Sequence, residues 1–196
     1  MRGHSARAEA TGIITTGQLD VLADATRQGS ADANFLGISS FTGEVAFEAE
    51  HTAGTTEAVI GEGADITIIG GGNVTVSAES TDTADPTITD IVFPNLGNIS
   101  AQAASAVVAS STRTRVAGRV RNANTVNVTS VANKLADALV TVLSFSFVSL
   151  SGVALDNIAD ALPDDLPIPI LPPFDTAAIA TVGGDNEAAL GTGADI

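Results

Sequence analysis

The sequence predicts an all-β fold, a parallel β-helix (β-solenoid) built from tandem repeats of about 52–55 residues with a Pro-rich insertion. Three observations lead there. One alternating apolar strand recurs at a near-constant long interval, the residues available for a core are small or β-branched, and the hairpin dipeptides Asn-Gly and Asp-Gly do not occur.

The recurring strand is Leu19-Asp20-Val21-Leu22-Ala23, then Val74-Thr75-Val76-Ser77-Ala78, then Val126-Asn127-Val128-Thr129-Ser130, with starts 55 and then 52 residues apart. Side chains alternate between faces along a strand, so Leu19, Val21, Val74, Val76, Val126 and Val128 are expected inward and stacked in register. Upstream, Ala10-Thr11-Gly12, Val59-Ile60-Gly61 and Val116-Ala117-Gly118 occupy corresponding places. The segment Glu57 to Ile66 matches Glu187 to Ile196 at seven of ten positions, at an offset of 130. A looser element, Phe41-Thr42-Gly43, resembles Leu150-Ser151-Gly152 and Leu96-Gly97-Asn98. Each unit should therefore hold two or three short strands and about two rungs of roughly 20 to 30 residues. The whole of 1–196 reads as one continuous solenoid segment, with units near 7–33, 34–85, 86–137 and 138–196. A sandwich array is the alternative, but it relies on Asn-Gly or Asp-Gly turns, and neither dipeptide is present.

Composition agrees. Aromatic residues make up 4%, with seven Phe and neither Tyr nor Trp, so a core must come from Val, Ile, Leu and Ala, which suit closely stacked strands. The formal net charge is −15, from 23 acidic and 8 basic residues. That balance argues against nucleic acid as a partner, because phosphate binding needs clustered Lys and Arg. With no cysteine there is no disulfide, thiol chemistry or Cys-based zinc site. Ala138 to Leu155 is 18 uncharged residues, just long enough to span a bilayer as a helix. Its alternation Ser144-Phe145-Ser146-Phe147 has a strand period, however, so no membrane span is expected.

Gly63-Ala64-Asp65-Ile66 followed by Gly71-Gly72-Asn73-Val74-Thr75-Val76-Ser77-Ala78 resembles the repeats of filamentous-haemagglutinin-like giant bacterial exoproteins and adhesins. The resemblance implies a right-handed parallel β-helix and carries no catalytic residue across. One stretch departs from simple repeats. Residues 160–173 hold five of the seven prolines, and proline has no N–H for a ladder. The segment from Leu162 to Pro173 should leave the stack or cover a flank, with Ile168, Ile170 and Leu171 packed on the solenoid or on another chain.

Four arginines form the one charge constellation with geometry. If Thr112 to Asn122 is one uninterrupted strand, Arg113, Arg115, Arg119 and Arg121 share a face and Val116 and Val120 take the other. Such a row either grips an anionic partner, for instance a sulfated or carboxylated glycan, or forms a solvated wall paired with carboxylates on neighbouring coils, and the wall is the favoured reading. Gly61-x-Gly63-x-Asp65 and Gly191-x-Gly193-x-Asp195 resemble half of a calcium nonapeptide, which makes Asp65 and Asp195 weak calcium candidates. Calcium rolls place such copies nine residues apart, so corner glycines explain them better. His4 in an irregular terminus, His51 in an expected corner beside Glu50, and Gly70-Gly71-Gly72 without a phosphate-loop Lys offer no catalytic set or cofactor cradle.

The expectation is a non-enzymatic structural or adhesive segment of an extracellular or cell-surface fibre. Its partners would be copies of itself or flanking repeats of the same chain, along with host or matrix glycans. The alternative is a β-helix carbohydrate-active enzyme or glycan-binding module. Both ends of a stack would present unpaired strand edges, so assembly end to end or within a longer chain is expected.

Overall fold

The computed structural model describes residues 2–37, 41–92, 97–144, 176–191 and 193–196. The described residues contain strands and no helix: β1 (Arg2–Gly3), β2 (Ala6–Ala10), β3 (Ile13–Thr16), β4 (Leu19–Gly37), β5 (Phe41–Ile60), β6 (Asp65–Ile68), β7 (Asn73–Val92), β8 (Gly97–Val116), β9 (Arg119–Arg121), β10 (Thr125–Ala136), β11 (Leu139–Ser144), β12 (Thr176–Val182) and β13 (Asn186–Leu190). The fold is all-β.

Three parallel sheets result. The first joins β1, β2, β5, β8, β12 and β13; the second is the narrow β3-β6-β9; the third joins β4, β7, β10 and β11. The chain visits first, second and third sheet in that order three times, then returns to the first. Every pairing among the described residues is parallel, in keeping with the absence of Asn-Gly and Asp-Gly from the sequence.

The repeated strand stacks as its spacing implies: Leu19 pairs with Val74, and Val74 with Val126. Val21, Val76 and Val128 form the next inward column, with Ile14, Ile66 and Val120 facing them from the second sheet. Val74 and Val76 are fully buried, while Leu19, Val126 and Val128 are half-buried and packed on the same cluster. Full burial of one such side chain is worth about 1.5–3 kcal/mol. Further along, the first and third sheets enclose smaller clusters, one of Ala46, Ile88 and Ala104 and another of Ala84, Ala106 and Val108.

Several expectations are corrected. The middle repeat holds two strands of 20 residues, β5 and β7, and the short β6 between them, in place of two rungs of short strands. Ala10 pairs with Ile60, and Ile60 with Val116, so the Gly-containing triplets align one residue away from the expected match. Phe41 likewise pairs with Gly97. His51 lies inside β5 beside Val107 and not at a corner. The Gly70-Gly71-Gly72 run is a turn: Gly70 and Gly71 have φ of 78° and 72°, and a side chain on Gly72 would collide with the Gly17 carbonyl. Within Ala138 to Leu155, the described part is strand up to Ser144, and no described helix is long and apolar enough to cross a membrane. The Pro-rich segment and the Leu150 element lie outside the described residues.

Candidate functional site

Two constellations gather charge. On the outside, the arginine row is present but bent: β8 ends at Val116 and β9 begins at Arg119, with Ala117 and Gly118 between. Arg113 and Arg115 therefore stand on the first sheet, and Arg119 and Arg121 on the second. Val116 and Val120 are buried behind them, as the alternation requires. Each arginine meets a carboxylate from a neighbouring repeat: Arg113 with Asp185 at 2.9 Å, Arg115 with Glu62 at 3.4 Å, Arg119 with Asp195 at 2.9 Å and Arg121 with Asp65 at 3.0 Å. Arg7 does the same with Glu57 at 2.8 Å.

Strand pairing extends this into a ladder. Arg7, Glu57, Arg113 and Glu187 lie in register on four successive passages, and Asp65, Arg119 and Asp195 on three. The calcium candidates Asp65 and Asp195 thus face one intervening arginine strand; Arg121 pairs with Asp65 Oδ2 and Arg119 with Asp195 Oδ2, while Asp65 Oδ1 has no partner among the described residues. No group of three or more metal-type ligands forms among the described residues. Each pair is half-exposed, so its contribution is about 0–1 kcal/mol.

The other constellation is interior and was not anticipated. Arg27, Asp82 and Lys134 pair in register in the third sheet, each eight residues after Leu19, Val74 and Val126 respectively. Arg27 and Asp82 side chains are 1% and 0% exposed and make a 2.7 Å ion pair. Arg27 also donates to Thr56 Oγ1 at 2.7 Å and to the His4 carbonyl at 2.6 Å, and Ser110 donates to Asp82 at 2.5 Å. Lys134 donates to the carbonyls of Ser110 and Gly183 at 2.6 and 2.8 Å. The first sheet makes room with small residues: a side chain on Gly54 would strike the His4 carbonyl and Arg27, and one on Gly184 the Ser110 carbonyl. Ser80 and Thr112 add a buried 2.7 Å hydroxyl pair alongside. The sequence signal was the shared offset from the repeated strand, which a search for identical residues passes over.

A second buried polar pair lies further along the strands. Gln102 donates to Asp90 at 2.5 Å, both side chains being essentially fully buried. Burial pushes the Asp90 carboxyl above its ordinary range, and the Gln102 hydrogen bond partly offsets this. The Asp90 Oδ1 and Gln102 Oε1 atoms have no partner among the described residues, nor do Glu50 Oε1 and His51 Nε2. A hollow of about 550 Å³ opens beside Ala8, Ala10, Ile14, Leu19, Asp20 and Val21. Its lining mixes these apolar side chains with Glu9, Thr11 and Asp20.

The outer face of the third sheet has a different character. Asp20, Asp24, Asp32, Glu79 and Asp85 are all exposed there, while the basic residues of its described strands, Arg27 and Lys134, point inward. No family model, curated protein or solved structure matches the chain.

Proposed function

We propose that this chain is a segment of parallel β-solenoid serving as a structural or adhesive part of an extracellular or cell-surface fibre, in which its coils are continued by flanking repeats or by further copies. The observation that carries the reading is the fixed visiting order of the three sheets, with equivalent residues stacked in columns on successive circuits. Such a stack is quasi-one-dimensional: each circuit contacts its neighbours, so length is added without redesign.

The charge arrangement supports the same role. Arginines on the first and second sheets are matched by carboxylates one circuit away, which suits a wall better than a free cationic grip. The third face carries acidic charge with no outward basic residue on its described strands, beside exposed Leu22, Leu36, Val131, Leu135 and Leu139. Electron microscopy of the purified protein at low and moderate ionic strength tests the reading. Unbranched filaments with an axial spacing near the 4.7–4.9 Å strand separation are expected. Compact particles with no axial repeat at any concentration, or hydrolysis of a polysaccharide by the purified chain, would overturn it.

A further inference from the structure

We infer that the inward column Arg27–Asp82–Lys134, buried at Arg27 and Asp82, sets the register in which the strands of the third sheet stack. The need for such a device follows from the rest of the interior. A one-residue slip would turn every apolar side chain outward and is excluded, but a two-residue slip keeps all faces correct. Against that slip the inward positions that precede the column discriminate weakly. β4 offers Leu19, Val21, Ala23 and Ala25 to Val74, Val76, Ala78 and Ser80 of β7, and sliding by two still sets small or branched residues against each other.

Turn geometry does not fix the register either. Thr15, Thr67 and Arg121 are aligned in the second sheet, yet Leu19, Val74 and Val126, aligned in the third, follow them by four, seven and five residues. Three turns of different length deliver the chain to the same starting line, so something within the long strands must define it.

The charged column does. In the observed register the charges alternate from circuit to circuit, positive, negative, positive, and Arg27 reaches Asp82, Thr56 and the His4 carbonyl together. After a two-residue slide Arg27 would face Ala84 or Ser80, and Asp82 would face Ala25 or Gly29. A buried charge would then stand unpaired, whereas a Val or Ala column shifted by one step loses little. The inference concerns strand register alone and holds whether or not the chain forms fibres.

The chain has no cysteine, so disulfide trapping reads the register directly. Thr26 and Thr81 are paired outward neighbours one residue from the column. Cysteines at 26 and 81 report the observed register, and cysteines at 26 and 83, or 26 and 79, report a two-residue slide, since diagonal positions about 7–8 Å apart lie beyond disulfide reach. With the column intact, the 26–81 bridge should form at least 20-fold faster than either slid bridge. In Arg27→Met/Asp82→Leu that preference should fall at least tenfold, with the strand signature by circular dichroism kept. Should that variant not fold, Asp82→Asn keeps the shape while removing the central charge, and its preference should fall at least threefold. An unchanged preference in a folded Arg27→Met/Asp82→Leu protein, or in Asp82→Asn, overturns the inference.

Discussion

Replacing Val76 with Asp tests the inward column where it is most demanding. Val76 is fully buried, stacked between Val21 and Val128 and packed in the cluster that includes Ile66 and Ile68. Losing the buried valine removes about 1.5–3 kcal/mol. Placing a carboxyl there without a partner adds about 1–3 kcal/mol. The sum, roughly 3–6 kcal/mol, is a large part of the ~5–15 kcal/mol that holds a domain folded. Urea denaturation followed by circular dichroism should show a midpoint lowered by roughly 1–3 M. The sign with pH is fixed. Burial raises the new carboxyl above its unfolded value near ~3.9, so the folded state binds the proton more tightly and the deficit widens as pH climbs through that window. Thr75→Asp, one residue away on the outer face, should change stability by no more than about 0.5 kcal/mol. Equal losses at 75 and 76 would refute the assignment of faces.

Other outcomes follow from the polar interior and the outer ladder. Arg27→Met alone strands the Asp82 carboxylate and should cost about 3–5 kcal/mol in urea titration, whereas Arg27→Met/Asp82→Leu should lose markedly less. Asp90 holds its proton to higher pH when folded than its ordinary 3.8, chiefly through burial, so its contribution to stability is greatest below that value and declines as pH rises through the folded pKa. Asp90→Asn should flatten that part of the stability-pH curve, as read from urea midpoints. Arg113→Ala and Arg119→Ala each break a half-exposed pair and should lower the melting temperature by no more than about 4 °C in calorimetry.

How much of this was legible depended on chemical contrast. Leu19, Val74 and Val126 announced their own register because an apolar alternation at fixed spacing has one stacked solution, and the pairings follow it. Strand length was hidden because the interior changes character along each strand. Past Ala78 the inward positions become Ser80, Asp82 and Ala84, with Thr112 and Ser110 opposite, so both faces read as polar and the alternation fades. The arginine row was visible by parity, but its carboxylate partners sit 53 to 76 residues away in sequence and needed the register to be found. Arg27, Asp82 and Lys134 occupy one repeat position with opposite charges, so the very feature that makes them a ladder disguises them as unrelated residues. Variable turn lengths added the one-residue error at Ala10 and Ile60.

The central claim is parallel stacking at an interval of about one repeat, and nuclear magnetic resonance on labelled protein tests it most directly. Inter-strand contacts between backbone protons should link Leu19 to Val74 and Val74 to Val126, with the one-directional pattern of parallel strands. Contacts joining β4 to β5, or β7 to β8, in the antiparallel pattern of hairpins would contradict it.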